Sequence, residues 1–379
     1  MEWLEYVIKP SNYISSLCYS VFRLEPFTTC SYGCTYCYAQ WYRGPHGAPG
    51  EKPWVPRGFE RIARRLPRGL PKPWFRLSTL SDPFQPVRGG VSALVKKILR
   101  IALRYEVPLV INTKGLVTRD EEALWLLVGL ADKGLLVLQY TIGFGDGTAS
   151  LLEPMAPRPS ERLSEAEMLA RLGIPVIVRV QPLIPGLEQE HYRVAIQALR
   201  SGARGLIGEP LRETRAGLAR LYKLLANSGE PPGCWEPYQL GEEPGKEPLL
   251  HPCPWWRTRV NHALEALATQ HGAAYATCKD SLLTLHKWYR PGKTCCLEWL
   301  GFREEPLLRP TLHEYSYLEW PSLSPEQLCK ELGPPFICDH RLDQYPAIIR
   351  KGVRAHLAKL ERLLRSENRV RKLLEKLST

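Results

Sequence analysis

The stretch TTCSYGCTYCYAQW, residues 28–41, contains three cysteines within eight residues. Three residues separate Cys30 from Cys34, and two separate Cys34 from Cys37. A structural zinc site takes four ligands, which in a zinc finger form two separated pairs, and this cluster lacks that arrangement. A cubane iron–sulfur cluster can be held by three thiolates if its fourth iron is left for another ligand. The spacing therefore indicates an iron–sulfur site with one open iron.

Beyond this cluster, short apolar runs of β type alternate with amphipathic helical stretches. The periodicity predicts strands at residues 19–24, 74–79, 109–113, 135–141, 176–180 and 205–207, and helices most clearly at 91–105, 119–133, 160–172 and 189–200. Six strand-then-helix units in a row indicate a parallel α/β sheet, either open or curled into a partial barrel. Such folds carry their chemistry at the carboxyl ends of the strands. The cysteines, SDPFQP, KG, GFGD and QPLIPG follow the first five predicted strands, so we expect the site there.

Composition indicates a globular protein of the cytoplasm. The 379 residues are 44% hydrophobic, which provides for a substantial core. The N-terminus carries charges where a signal peptide needs an apolar run, and the longest apolar stretches are too short to span a bilayer. Eleven cysteines in a reducing compartment do not indicate a disulfide framework. They indicate metal or redox chemistry instead.

Four segments can be distinguished along the chain. Residues 1–18 form an N-terminal extension, and residues 19–228 hold the six α/β units. Near residue 229 the stretch GEPPGCWEPYQLGEEPGKEP, rich in Pro, Gly and Glu, marks a boundary. Residues 229–345 form a Cys-rich C-terminal segment. Residues 346–379 are predicted to form a basic helix, because their apolar residues recur three and four apart.

The motif CSYGCTYC resembles the signature of the radical S-adenosylmethionine (SAM) superfamily, with Tyr36 as the aromatic residue before the last cysteine. STLSDPFQPV, INTKG, LLEPMAPRPSERL and GIPVIVRVQPLIPGL are similar, in order and spacing, to the spore photoproduct lyase-like branch, often described as DNA-repair photolyases. The similarity covers residues 19–225. It implies a partial (β/α)6 barrel and a [4Fe-4S] cluster held by Cys30, Cys34 and Cys37.

The same resemblance implies the chemistry of this cluster. SAM would bind its open iron through amino and carboxylate groups, and one electron would cleave SAM to a 5′-deoxyadenosyl radical that abstracts hydrogen from a substrate. An electron donor such as ferredoxin or flavodoxin is implied as well. No catalytic residue beyond the cofactor ligands is assigned by these motifs.

Further roles follow from the resemblance, residue by residue. Tyr36 and Tyr38 match residues that flank the adenine and the cosubstrate, although aromatic core packing would also explain them. Ser81 and Asp82 match a Ser-Asp pair that faces the methionyl group, where a carboxylate would oppose the ammonium. Structurally, the same SDP sequence could be a turn or a helix cap.

Three other positions match, and one departs from the family. Lys114 matches a lysine for the cosubstrate carboxylate, and Thr141 matches a hydroxyl position where the usual Ser is replaced. Arg179 is a charged residue in an apolar run, costly to bury alone, and would pair with a carboxylate such as Glu153 or with a ligand. Lyases of the familiar type carry a hydrogen-donating cysteine directly before the Ser-Asp pair. Leu80 stands there in this sequence, which puts thymine-dimer reversal by that route in doubt.

The remaining cysteines suggest a second metal site. Cys278 lies seventeen residues before the adjacent pair Cys295 and Cys296. A second iron–sulfur cluster would be completed by Cys253 or Cys338. Reduced, buried thiols without a metal are an alternative. Zinc is another, with histidines close in sequence: His251, His286 and His340.

The charge distribution leaves the substrate open. The formal net charge is +12, and residues 350–379 hold ten Lys and Arg against three Glu, a net of +7. A basic tail is typical of a nucleic-acid contact, but a solvated helix face has the same composition. The leading hypothesis is a radical enzyme acting on a nucleic acid or nucleotide. The alternatives are a radical enzyme for a peptide or small metabolite with an auxiliary cluster, and a non-catalytic iron–sulfur or zinc protein that binds nucleic acid.

Overall fold

Parallel strands form the centre of the fold. The structure is a computed structural model, and it describes residues 5–8, 18–43, 46–88, 90–226, 231–238, 247–280, 282, 285–288, 290–315, 323–366 and 370. In chain order the strands are β1 (Phe22–Leu24), β2 (Phe75–Leu77), β3 (Leu109–Thr113), β4 (Leu136–Thr141), β5 (Val176–Leu183), β6 (Gly205–Pro210), β7 (Trp235–Pro237), β8 (Leu250–Pro252) and β9 (Ala274–Thr277). β7 and β8 pair with each other in an antiparallel ribbon.

The other seven strands form one parallel sheet in the order β1-β2-β3-β4-β5-β6-β9. Each of the six predicted strands is present, and each pairs with its neighbour along the chain. The seventh, β9, was not predicted. It comes from the Cys-rich segment and pairs with β6. Its four residues, AYAT, are too short and too rich in Ala to show a strand periodicity.

Helices follow the strands as predicted. They are α1 (Gln40–Arg43), α2 (Trp54–Ala63), α3 (Ala93–Tyr105), α4 (Glu121–Asp132), α5 (Asp146–Leu152), α6 (Pro159–Arg171), α7 (Glu188–Arg200), α8 (Arg215–Ala226), α9 (Pro254–Gln270), α10 (Leu312–Tyr315), α11 (Pro325–Leu332), α12 (Asp339–Leu342) and α13 (Ala347–Leu364). Local caps define two of them. Ser92 accepts a hydrogen bond from Leu94 N at the start of α3, and Asp120 accepts one from Ala123 N at the start of α4.

Alternate residues of each strand face opposite sides of the sheet. On β3, Leu109 and Ile111 pack in the core beneath the helices, whereas Val110 packs in a separate apolar cluster. This separate apolar cluster lines the inner face of a curled sheet. The strand residues in it are Val110, Val137, Ile177, Ile207 and Ala276. Helices cover one face, as the predicted partial barrel requires, and the other face must be covered by different residues.

Part of the C-terminal segment covers this inner face as a plug, residues 294–308. Leu297 and Phe302 join the inner apolar cluster. A 3-10 turn at Glu298–Leu300 leads into Gly301, where an added Cβ would overlap the carbonyl oxygen of Leu136 and lie 2.7 Å from Val137 Cγ2. The plug therefore closes the end of the barrel at which β4 begins.

Helix α13, the predicted basic helix, packs along the edge of the sheet. An added Cβ at Gly352 would lie 2.9 Å from the Phe22 ring, so the helix backbone nearly touches β1. Within the described residues, no helix is long and apolar enough to cross a bilayer. Part of the predicted basic and leucine pattern lies outside the described residues, namely Arg369, Arg371, Lys372, Leu373, Lys376 and Leu377.

We predict that Gly301→Ala lowers the free energy of unfolding by about 1–3 kcal/mol, because overpacking against fixed backbone costs about that much. Gly147→Ala is the matched control. Gly147 lies in α5 with no heavy atom within 4 Å of an added Cβ, so this change should be neutral or stabilising. Chemical denaturation of both variants measures the difference. Equal stability of the two would mean that the plug does not press against β4.

Candidate functional site

A pocket opens where the parallel strands end, and it brings together most of the site residues predicted from sequence. Its walls include all three cysteines of the 28–41 loop and six further predicted residues: Cys30, Cys34, Cys37, Tyr36, Tyr38, Ser81, Asp82, Lys114 and Thr141. Arg179 does not line the pocket, but its partners Gln181 and Glu209 do. The carboxyl ends of β1 to β6 therefore form one site, as the parallel topology predicts.

The cysteine loop is held in place by side chains from the loops that follow other strands. Gln85, in the SDPFQP loop, accepts from Ser31 N at 2.8 Å and donates to the Thr29 carbonyl at 3.1 Å. Leu152, at the end of α5, accepts from Thr35 N at 2.9 Å. Gly33 has a φ of +64°, which favours glycine between the first two cysteines.

A close approach explains the glycine of the KG sequence after β3. An added Cβ at Gly115 would lie 2.6 Å from the Phe84 carbonyl oxygen and 2.7 Å from the Tyr32 hydroxyl. Tyr32 in turn donates to that same carbonyl at 3.3 Å. Only a residue without a side chain lets the β3 loop pack beneath the cysteine loop.

None of the three cysteines is in a disulfide; Cys30 and Cys34 are buried, and Cys37 is partly buried. Burial, followed by the Asp82 carboxylate, raises the pKa of Cys30 to about 11. Burial also raises the pKa of Cys34, although the nearby Lys114 ammonium opposes the shift. Three cysteines of one short loop that face a common pocket are the donor set that a cubane with one open iron needs, so the residues fit this cofactor.

Asp82 is both a turn residue and a pocket residue. Its carboxylate accepts from Phe84 N at 2.9 Å, Thr113 Oγ1 at 2.7 Å and Lys114 N at 2.6 Å. The bond to Phe84 N confirms the turn interpretation of SDP. The bonds to Thr113 and Lys114 tie the β2 loop to the end of β3. That the same carboxylate also pairs with the ammonium group of a cosubstrate stays a prediction.

Glu25, directly after β1, organises the Ser81 side of the pocket and was missed from sequence. Its carboxylate accepts from Leu80 N at 2.9 Å, from Thr79 Oγ1 at 2.9 Å and from Ser81 Oγ at 3.2 Å. An acidic residue at the carboxyl end of an apolar strand was the available signal. Leu80 lines the pocket, where the family cysteine would stand.

A buried charge network lies next to the cysteines. The side chains of Glu153 and Arg162 are fully buried and form an ion pair, and Lys114 Nζ lies 3.7 Å from Glu153 Oε1. Tyr36 donates its hydroxyl to Glu153, and its ring lies 5.6 Å from Lys114 Nζ. Burial raises the pKa of Glu153, but Arg162 and then Lys114 outweigh it, so the pKa lies below its ordinary value. Glu153 is therefore ionised and holds Lys114 at the pocket wall.

Arg179 pairs with Glu209 instead of Glu153, which corrects the partner suggested from sequence. Its guanidinium lies 2.6 Å from Glu209 Oε2, and Arg212 lies 2.6 Å from Glu209 Oε1. Glu153 is already paired with Arg162, so the sequence-based pairing was wrong. The LIGEPLR stretch carries both Glu209 and Arg212 at the end of β6, and that position was the signal overlooked.

Tyr38 and Thr141 complete the pocket wall. Tyr38 donates its hydroxyl to the Thr79 carbonyl, and Lys279 Nζ lies 5.2 Å from the centre of its ring. The Thr141 carbonyl accepts from Arg162 Nη1 at 2.6 Å. Both side chains face the pocket from positions fixed by these contacts.

Two cysteines assigned to a second metal site are in disulfides. Cys253 is bonded to Cys234, and Cys338 is bonded to Cys329. Their assignment as ligands was therefore wrong, as was the expectation that disulfides are absent. The β7–β8 ribbon explains the first bond, because it places Cys253 N 3.0 Å from the Cys234 carbonyl. The other three assigned cysteines are free: Cys278, Cys295 and Cys296.

The histidines named for zinc have protein partners. His251 Nε2 lies 3.0 Å from Glu236 Oε1, and His286 Nε2 accepts from Thr277 N at 2.9 Å. The side chain of His340 lies outside the described residues. In the described ranges, no three His, Cys, Asp or Glu side chains are grouped to hold a single metal ion. A cubane binds each thiolate to a different iron, so its ligands stand farther apart than those of one ion.

Comparison with known proteins identifies the fold. No protein-family model matches the sequence. One spore photoproduct lyase variant matches with a TM-score of 0.52 at 16% identity, covering 68% of this chain and 76% of that chain. Another, solved with bound AdoMet and dinucleoside spore photoproduct, matches with a TM-score of 0.52 at 15% identity over the same shares, 68% and 76%. The chain therefore has the fold of spore photoproduct lyase, which confirms the predicted resemblance for the fold.

A curated relative extends the comparison to a viral protein. The uncharacterized protein ORF301 of Acidianus two-tailed virus is 26% identical over 240 residues, which are 58% of this chain and 73% of that protein. Its name carries no activity, so it adds no function to this fold.

We predict that Glu153→Gln destabilises the protein by about 3–5 kcal/mol, because it leaves Arg162 as a buried charge without a partner. Glu161→Gln is the control. Glu161 Oε1 lies 3.1 Å from Arg119 Nη2, and 42% of the Glu161 side chain is exposed. Loss of this ion pair should lower the free energy of unfolding by less than about 1 kcal/mol.

The pH dependence of this difference follows from the lowered pKa of Glu153. A depressed carboxyl pKa contributes stability above the ordinary pKa, about 4.5, and loses it as pH falls through the folded-state value. The difference in the free energy of unfolding between wild type and Glu153→Gln should therefore be constant from about pH 7 to pH 5 and become smaller only in more acidic solution. Urea unfolding of both proteins across this pH range measures the difference. A difference that becomes smaller as pH rises would contradict the ion pair.

Proposed function

We propose that this chain is a radical SAM enzyme that takes hydrogen from a phosphate-bearing substrate, a nucleic acid or nucleotide. One observation carries the proposal: the three cysteines, none of them in a disulfide, line a single pocket with every residue that the family resemblance assigns to the cosubstrate, except Arg179. The shared fold with spore photoproduct lyase, which was solved with AdoMet in place, supports the same assignment.

In this proposal the chain holds and orients its cofactors. Cys30, Cys34 and Cys37 would hold a [4Fe-4S] cluster, which supplies the electron that cleaves SAM to a 5′-deoxyadenosyl radical. Lys114 is kept at the pocket wall by Glu153, so its ammonium can meet a carboxylate of the cosubstrate. Asp82 lies next to it in the same pocket, where its carboxylate accepts from Lys114 N at 2.6 Å, and provides the charge that an ammonium requires. The two charges match the two ends of an amino acid.

Three cations, one on β5 and the others after β6 and β9, support an anionic substrate. Arg179, Arg212 and Lys279 surround a single carboxylate, Glu209. Arg212 lines the pocket, and its Nε is buried with no hydrogen-bond partner among the described residues. Such an excess of positive charge is costly to bury unless an anion joins it. A phosphate group, which accepts bidentate hydrogen bonds from Arg, provides that charge.

The proposal stops at hydrogen abstraction. Leu80 occupies the position of the family's hydrogen-donating cysteine. Of the described residues that line the pocket, the cysteines are the three proposed cluster ligands. Return of hydrogen from a dedicated pocket thiol is therefore not part of the proposed reaction.

We predict that anaerobically reconstituted wild-type protein, once reduced, forms 5′-deoxyadenosine from SAM, and that the variant with Cys30, Cys34 and Cys37 all changed to Ala does not. Loss of the three thiolates removes the ligands of the proposed cluster, and with the cluster the electron that cleaves SAM. The variant Cys329→Ala/Cys338→Ala, altered outside the pocket, is the control and should retain product formation. Chromatography with labelled SAM measures the product, and formation by the triple variant would refute the proposed function.

Three basic residues of α13 and the arginine directly after it form a solvent-exposed stripe suited to contact phosphates: Lys351, Arg354, Arg362 and Arg365. The opposite face is buried, including Val353, His356 and Leu360. Removal of the helix would therefore uncover the core, and substitution of the stripe is the cleaner test. Contacts of this kind add affinity without reading sequence.

We predict that changing these four residues to Gln weakens binding of a random-sequence DNA duplex and flattens its dependence on salt. The logarithmic slope should fall by about 0.9 for each lost phosphate contact. An equal change in charge on and after α2, at Arg57, Arg61, Arg64 and Arg65, is the control and should alter the slope less. Filter binding over a salt series measures both variants. If the stripe variant keeps the wild-type slope, α13 only presents its charges to water.

A further inference from the structure

Four free cysteines from distant parts of the chain meet in the interior of the barrel. Cys278 directly follows β9, Cys295 and Cys296 lie in the plug, and Cys18 lies before β1. A hydrogen bond to Cys296, burial, and the proximity of Cys278 and Cys18 raise the pKa of Cys295. Burial and then Cys296 raise the pKa of Cys18. Each thiol therefore has at least one other within electrostatic range.

Backbone contacts fix where these cysteines stand. Cys278 N donates to the Gly208 carbonyl at 2.9 Å, which sets Cys278 beside β6. Gln139, on the inner face of β4, donates to the Cys296 carbonyl at 2.6 Å. The Cys18 carbonyl accepts from Arg309 Nη2 at 2.6 Å. The N-terminus, the sheet and the plug thus contribute to one thiol group.

A partly buried guanidinium lies beside these thiols. Arg76 lies on the inner face of β2, and its Nη2 is 2.9 Å from Cys296 Sγ. Its other hydrogen bonds go to Ser20 Oγ, at 3.1 Å, and to Asn112 Oδ1. Burial lowers the pKa of Arg76, but Cys296, Cys18 and Cys278 outweigh it and raise the pKa overall.

Arg76 has no carboxylate within ion-pair distance among the described residues. By contrast, Arg162 forms an ion pair with Glu153, and Arg179 forms one with Glu209. Removing a cation from water without an anionic partner is unfavourable, even where the removal is partial, as it is for Arg76. The anion that balances Arg76 must therefore come from the thiol group itself or from something bound to it.

We propose that Cys18, Cys278, Cys295 and Cys296 hold a second [4Fe-4S] cluster in the barrel interior. Four thiolates satisfy every iron of a cubane, in contrast to the three of the pocket loop. A cluster with four thiolates is an anion, so it balances Arg76. The Nη2–Sγ bond of Arg76 is the kind of contact that sets the reduction potential of such a cluster.

The location of this site connects it with the pocket. Asn112 and Glu209 line the pocket, and they bind Arg76 and Arg179 respectively. Arg179 also interacts electrostatically with Cys278 and Cys296. The second site therefore lies one layer of side chains below the pocket. The existence of the second cluster depends only on its own four ligands. Its role, to pass one electron from a ferredoxin- or flavodoxin-type donor to the pocket, rests on the proposed function.

Iron and acid-labile sulfide analysis of the reconstituted protein tests this proposal. Wild type should contain about eight irons per chain, and the variant with Cys30, Cys34 and Cys37 changed to Ala should retain about four. Because this variant leaves the second site untouched, its result does not depend on the folding of a protein altered in the core. Cys18→Ser or Cys278→Ser in the same background should then lower the remaining iron, whereas Cys253→Ser should not.

Electron paramagnetic resonance separates the two sites. The reduced triple variant should show a [4Fe-4S] signal that SAM does not alter, because no iron is left open. In wild type, SAM should change part of the signal. Zinc in place of iron in the triple variant, or no metal there, would overturn the second cluster.

The two proposals fail in different ways. If only the proposed function fails, the triple variant keeps about four irons and wild type forms no 5′-deoxyadenosine. If only the second cluster fails, wild type forms 5′-deoxyadenosine with about four irons, and the triple variant has none.

Discussion

Covering the inner face of the sheet is the constraint on which the rest of this structure depends. Each strand of the sheet pairs only with its neighbours in the order β1-β2-β3-β4-β5-β6-β9. No pairing of β1 with β9 is found among the described residues. At the end where the strands begin, Leu297, Phe302 and neighbouring plug residues pack against the apolar inner face. At the end where the strands finish, the same face stays accessible as the pocket. A polar layer, with Arg76, Gln139 and Arg179, lies between plug and pocket.

Sequence predicted the part of the site that local spacing and strand direction determine. The three cysteines span eight residues, and Asp82 and Lys114 each follow an apolar run. Since parallel strands end at one edge, residues as far apart as Asp82 and Lys114 had to meet. The family landmarks now have physical reasons. Gln85 of SDPFQP holds the cysteine loop, Gly115 of INTKG permits close packing, and Glu153 of LLEPMAP positions Lys114.

The parts that sequence did not predict depend on contacts between distant residues. Arg179 and Glu209 are thirty residues apart, and no local pattern distinguishes Glu209 from Glu153 as the partner. Cys18 belongs to an N-terminal stretch without a motif, and it approaches Cys296 only because the plug and the chain before β1 share the barrel interior. The two disulfides were missed because the argument from a reducing compartment concerns the average protein. The first bond forms because the antiparallel pairing of β7 with β8 brings Cys234 next to Cys253.

Buried charge links the two proposed sites. Arg162 and Arg179 each face a carboxylate, whereas Arg76 faces thiols and neutral oxygens. Arg76 is partly buried, and an apolar residue at this position would avoid the cost of withdrawing a cation from water. A guanidinium at this position is therefore poorly explained by stability alone. It is well explained if the thiols beside it carry negative charge, as they do when they bind a metal cluster, because the cation then offsets a charge that the interior could not otherwise hold.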